Sequence, residues 1–181
     1  MNSKVVFTVK PEPDEYAPYY EKYISLVPDD DVLQILDKQC AEMVALLSAR
    51  DAADGDLRYA PGKWSVKESL GHLIDTERIF SYRALRIARN DKTPIEGYEQ
   101  DDYVKFGPFA KRTLASLIEE FISVRRATLS LFRGIDEAGW TRRGVANKNE
   151  VTVRALAFMI AGHELHHREI FQERYFAGRP S

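Results

Sequence analysis

Val153-Arg154-Ala155-Leu156-Ala157-Phe158-Met159-Ile160-Ala161-Gly162-His163-Glu164-Leu165-His166-His167 is the stretch on which the reading of this chain turns. Val153, Leu156, Ala157 and Ile160, then Leu165, Ile170 and Phe171, recur at helical spacing. A helix is therefore predicted from near Thr152 to around Phe176, before Gly178 and Pro180. Residues four apart on a helix share a face, so His163 and His167 stand side by side, about 40° apart on a helical wheel. Glu164 and His166 fall roughly 80° to either side of their midpoint. Two imidazoles so placed make one edge of a metal site. The plainer reading is a pair of surface histidines spaced by chance, but the uncharged run Ala157 to Gly162 marks this segment as buried. His166 diverges from the pair and reads as a structural or orienting residue.

A third imidazole has one possible source. The chain has 4 histidines, and the remaining one is His72, on a second predicted helix running from about Ser65 to Ala88. Ser65-Val66-Lys67-Glu68 has capping-box form, in which a hydroxyl and a carboxylate satisfy free amides at the helix start. Glu68 and Thr76 lie about 40° from His72 on the wheel and Asp75 about 60°. This polar stripe runs where a helix packed into a core would carry aliphatics. Leaving it buried and unpaired would cost several kcal/mol; a metal, its water and neighbouring carboxylates would satisfy it. Asp75 and Glu164 read first as surface charges; their functional reading is to orient an imidazole or take a proton from a bound water.

Working outward, Val32, Leu33, Ile35, Leu36, Met43, Leu46 and Leu47 predict a first helix over Asp31 to Ala49. Leu114, Leu117, Ile118, Phe121, Val124 and Leu129 predict a third, from Lys111 or Arg112 to Arg133, with Gly134 as its stop. With no convincing paired strands, the expected fold is all-α, a four-helix bundle. The connection from about Arg89 to Ala110, roughly twenty residues, reaches up to about 65 Å against about 36 Å for the preceding helix. It can return along the whole bundle, which gives an up-down-down-up order with a long crossover between helices two and three. Its aromatic stretch, Tyr98 to Phe106, is suited to cover one end. Residues 1–181 are expected to form one domain, with a core of about 30–176 and an N-terminal extension over 1–29.

Composition excludes several functions. The 181 residues are 44% hydrophobic, enough for a core. The 26 basic and 28 acidic residues nearly cancel, and the pI is near 6.1. With no basic stripe interleaved with aromatics, nucleic acid has no electrostatic footprint. The alternating Val5, Phe7, Val9 near the start is not a signal peptide, no apolar run would span a bilayer, and the single Cys40 rules out an internal disulfide framework. The expected setting is cytoplasmic. Cys40 reads as a small buried hydrophobe, Trp64 as an anchor for the entry to helix two, and Trp140 as packing beneath the loop after helix three. Arg125-Arg126 and Arg142-Arg143 read as solvated faces, with binding of an acidic cosubstrate as their functional reading.

His163-Glu164-x-x-His167 also fits the HExxH pattern of zinc proteases, in which the glutamate activates a zinc-held water. The context argues against a protease. The residues after His167 leave no room for a downstream ligand helix, the extended HExxHxxGxxH positions are not filled, and no edge strand is predicted to hold a peptide.

Pro61-Gly62-Lys63-Trp64-Ser65-Val66-Lys67-Glu68-Ser69-Leu70-Gly71-His72-Leu73, followed far downstream by His163-Glu164-Leu165-His166-His167-Arg168, resembles the DinB-like superfamily, which includes the bacterial YfiT-type proteins. The resemblance covers roughly Asp30 to Tyr175. It implies an up-down-down-up four-helix bundle with a divalent metal held by His72, His163 and His167, and a homodimer. The metal would be zinc or nickel, with iron or manganese also suited to three imidazoles. Members include transferases of low-molecular-weight thiols and a thiol-dependent maleylpyruvate isomerase. The first expectation is thus metal-dependent transfer of such a thiol to an electrophilic small molecule. The alternatives are a hydrolase using a metal-bound hydroxide, with Glu164 or Asp75 taking the proton, and a non-catalytic, stress-related dimeric metal-binding protein.

Overall fold

The computed structural model describes residues 9–178, so Val5, Phe7 and Pro180 lie outside the described residues. Four long helices dominate: α2 (Val32–Ser48), α3 (Val66–Ala88), α5 (Leu114–Arg133) and α7 (Val153–Ile170). Each begins on a side-chain cap. Asp31 accepts from the amides of Leu33 and Gln34, Thr113 from Ser116, and Thr152 from Ala155. Ser65 and Glu68 form the reciprocal box, with Ser65 Oγ accepting from the Glu68 amide and Glu68 Oε2 from the Ser65 amide. Helices α2 and α3 both pack against α5 and α7.

The apolar core is divided. One cluster gathers Leu36, Phe80, Phe132, Trp140, Leu156 and Phe158; the other gathers Met43, Leu70, Ile74, Phe121, Phe171 and Tyr175. Along each long helix the residues between the two clusters are polar and buried: Gln39 on α2, Thr76 and Glu77 on α3, Arg125 and Thr128 on α5, and His163, Glu164 and His167 on α7. A polar layer thus crosses the bundle at mid-height, and it is here that the histidines sit.

Several expectations need correction. The fold is mostly helical rather than all-α: β1 (Arg143–Ala146) and β2 (Asn149–Thr152) form an antiparallel hairpin. Asn147 and Lys148 turn it with φ of 49° and 65°, the two-residue turn whose twist suits a hairpin. Four-residue strands are too short to show alternation, which hid them. The connection between α3 and α5 is not a bare loop. It pairs with β1 through Ile95, whose amide donates to the Val145 carbonyl at 2.9 Å, and it then forms α4 (Gln100–Phe106). Gly134 ends α5 as expected, at φ −88°. A short helix, α6 (Glu137–Trp140), follows and buries Trp140 against Phe132. Beyond Ile170, α7 widens into a π turn over Phe171–Tyr175.

The stretch preceding α2 packs onto the bundle. Glu15 is buried and pairs with Arg154, while Thr152 Oγ1 donates to its Oε2 at 2.7 Å. Helix α1 (Glu21–Ile24) lies across α7, and a Cβ at Gly162 would stand 2.1 Å from the Tyr23 carbonyl oxygen. Backbone cannot yield as a flexible side chain does. Gly162→Ala is therefore expected to destabilise the protein by about 1–3 kcal/mol and to lift α1 from the site. Urea unfolding checks the first effect, and increased protease sensitivity around Tyr23 the second.

Candidate metal centre

Helix α3 supplies His72 to the polar layer and α7 supplies His163 and His167. One ring nitrogen from each lies within 4.8 Å of the others, and all three residues are buried. His72 Nε2 and His163 Nε2 are 3.1 Å apart. Two nitrogens about 2.1 Å from a shared ion at roughly a right angle would have such a separation. Burial holds His72 down to about 4, and burial, followed by the neighbouring imidazoles, holds His163 and His167 well below the ordinary histidine range. The three rings are therefore neutral at pH 7, the form that ligates. Neutral lone pairs converging in a desolvated site need a shared cation or proton, so the donor set fits a divalent ion. The other nitrogen of His72, Nδ1, faces Thr76 Oγ1 at 3.4 Å, and Thr76 Oγ1 bonds the Tyr98 hydroxyl at 2.8 Å. This chain orients the ring and leaves Nε2 toward the cluster.

Aromatic walls complete the centre. The Trp64 ring lies 4.8 Å from His72, so Trp64 does more than anchor the helix entry. It is held by the π turn, through which Tyr175 donates to the Trp64 carbonyl at 2.5 Å. Tyr23 meets the edges of both His163 and His166, each with centroids 5.3 Å apart. His166 is only half-buried and outside the triad.

The two carboxylates expected to act here lie elsewhere. Glu164 is buried in an ion cluster in which Arg125 Nη2 bonds its Oε2 at 2.6 Å, and Nε and Nη2 of Arg125 hold both oxygens of Glu77 at 2.9 and 2.8 Å. Arg125 Nη1 donates to the Leu36 carbonyl at 2.7 Å. Burial opposes the charge on Arg125, but Glu164 and Glu77 outweigh it and hold the guanidinium firmly protonated. Burial pushes the Glu164 carboxyl up, and its Oε1 has no hydrogen-bond partner. Asp75 faces Arg78, at 3.5 Å. Asp75 lines neither of the larger cavities at the histidines, and Glu164 meets His163 only across a void of about 10 Å³. Arg125 corrects the reading of Arg125-Arg126 as a solvated face: its charge is spent inside, on carboxylates of α3 and α7 that sequence spacing cannot pair.

Among the described residues two sizeable cavities reach the triad, beside a void of about 10 Å³ behind His163 that Glu77, Arg125 and Glu164 also line. One, of about 290 Å³, touches His72 and His163 and is walled by Tyr19, Tyr20, Tyr23, Phe80, Arg83 and Tyr98. The other, of about 350 Å³, touches His167 and is walled by Tyr59, Trp64, Ile170 and Tyr175. Asp101 of α4 borders both, so the crossover segment does reach the site.

Without metal, acid should weaken the fold. The unfolded histidines take up protons below about pH 6.5, whereas the folded ones resist until their lowered values are reached, about 4 for His72. Stability is thus expected to fall from pH 6.5 toward 4, by about 1.4 kcal/mol per pH unit for each histidine. Chemical denaturation of the chelator-treated protein across that window checks the slope.

Comparison with known proteins agrees with this architecture. A family model described as the DinB superfamily matches residues 35–171. The structure of YfiT from Bacillus subtilis, described as a probable metal-dependent hydrolase with an unusual four-helix bundle topology, superposes with a TM-score of 0.74. That match has 16% identity and covers 93% of this chain and 91% of that one. A mycothiol-dependent maleylpyruvate isomerase superposes with a TM-score of 0.66 and 13% identity, over 80% of this chain and 60% of the isomerase. No curated protein sequence matches. Among the described residues, no helix is long and apolar enough to cross a membrane.

Proposed function

The chain belongs to the DinB superfamily, and on that premise we propose that it is a metal-dependent transferase joining a low-molecular-weight thiol to an electrophilic small molecule. His72, His163 and His167 hold the ion, zinc or nickel in first place. A divalent ion so held supplies Lewis acidity, lowering the pKa of a thiol or water placed on it. The observation that carries the reading is the pair of cavities meeting at one triad, since two co-substrates need two approaches, whereas hydrolysis needs one and water.

The chain's own residues have separable tasks. Thr76 and Tyr98 fix the His72 ring. Tyr23 and Trp64 exclude water from the imidazoles and lower the local dielectric, which strengthens every charge interaction there. Glu164 and Glu77 share one guanidinium, which ties α3, α5 and α7 together beside the histidines. In transfer, the thiol sulfur forms a bond to the electrophilic carbon, the leaving group departs with its electron pair, and the thiol proton passes to solvent.

Hydrolysis is the second reading, favoured by the superposition on YfiT across nearly its whole length. Product mass discriminates between the two. The metal-loaded protein is incubated with a bimane or dinitrophenyl electrophile, with and without cysteine or glutathione. Transfer predicts a thioether formed faster than in the protein-free mixture; hydrolysis predicts an oxygen-containing product that forms without thiol. The reading also includes the up-down-down-up helix order, a homodimer and a cytoplasmic setting. Sedimentation of the purified protein tests the dimer.

A further inference from the structure

The cavity before His72 and His163 is lined by a buried cation, Arg83, that no carboxylate of the described residues reaches. Arg83 follows His72, Thr76 and Phe80 along one face of α3, in steps of four, four and three, and all four residues line the cavity. Arg83 is 3% exposed. Its Nη2 donates to the Glu96 carbonyl at 3.0 Å, its Nε has no acceptor, and no carboxylate of the described residues stands within ion-pairing distance. Arg125, equally buried, differs sharply: every nitrogen of its guanidinium has an oxygen partner. A buried guanidinium without a counter-ion is costly, and the Phe80 and Tyr98 rings, with centroids 5.7 and 6.0 Å from Cζ, recover only part of that cost. A purely structural role, holding the Glu96 carbonyl and the Tyr20 hydroxyl, still leaves Nε idle.

A rigid fork of donors, walled by aromatics and facing an open cavity, suits a planar carboxylate. We propose that Arg83 anchors the substrate: the molecule taken by this cavity carries a carboxylate that pairs with Arg83 and directs its other end toward His72 and His163. His72 and Arg83 are about 16 Å apart along the helix axis, and one cavity is lined by both. Glu99 and Asp101, which also border the cavity, disfavour a second negative charge on the substrate, so a monocarboxylate is the preferred class.

This inference rests on the metal-centre reading for the direction of the substrate's reacting end, but anchoring itself needs no metal. The test therefore begins with metal-free protein and uses butyrate and its neutral isostere butyramide, followed by saturation-transfer NMR. Butyrate should bind saturably and at least tenfold more tightly than butyramide. Arg83→Gln should weaken butyrate at least tenfold and leave butyramide unchanged, and Arg83→Lys, which keeps the charge but loses Nε, should fall between. If Arg83→Gln does not fold, Arg83→Lys carries the comparison. With Ni²⁺ loaded, the butyrate methyl should relax faster than the protons beside its carboxylate. Equal binding of the two probes, no saturable binding of butyrate, or undiminished butyrate affinity in the variants overturns the anchor. Faster relaxation beside the carboxylate also overturns it, because the anion would then be on the metal. Failure to take up Ni²⁺ while butyrate still binds through Arg83 would defeat the metal reading alone.

Discussion

Arg125→Ala is expected to destabilise the folded protein by about 3–5 kcal/mol, the effect of leaving buried charges without their partner. The guanidinium is 1% exposed, and its loss would strand Glu77 and Glu164, both buried, on facing helices. The Leu36 carbonyl would lose the donor it takes from Arg125. Urea unfolding of the metal-free protein measures the change. A specific electrostatic cause has a specific remedy: adding Glu164→Gln to Arg125→Ala should recover part of the loss, since only Glu77 is then left without its partner. A loss below about 1 kcal/mol would show that the carboxylates are satisfied some other way.

The second large effect concerns the histidines. His163→Ala is expected to reduce affinity for zinc or nickel by more than the roughly 10–100-fold that outer partners of such sites contribute, because it removes a ligand rather than a residue that orients one. Its ring sits between His72 and Tyr23, so alanine would leave a gap rather than a clash, and the helices should survive. Titration with a competing chelator measures the affinity, and circular dichroism the retained helicity.

What the sequence made legible follows from which interactions are local. The four long helices were readable because their apolar spacing, and caps such as Ser65 with Glu68, lie within a few residues of one another. His163 and His167 were readable for the same reason, and His72 because no other histidine remained to join them. The Arg125 cluster was not readable: its partners are 48 and 39 residues away, and Arg125-Arg126 in isolation is a common surface pattern. Nor was the aromatic wall, since Tyr23 comes from a segment expected to lie outside the core and Trp64 from a helix entry. The hairpin at Arg143–Thr152 left only Asn147 in its turn as a signal, too slight against the helical pattern around it. Arg83 could have been noticed by wheel position, three turns from His72. The missing counter-ion that makes it informative is a property of the folded chain alone.

The most direct test of the account is metal content. Protein purified without a histidine tag, reconstituted with zinc or nickel and freed of excess, is compared with His72→Ala and His163→Ala for bound metal per chain. Near-stoichiometric metal in the unaltered protein, lost from both variants while their helicity persists, is the predicted result. Absence of metal from the reconstituted protein, or its retention by either folded variant, would contradict the three-histidine centre.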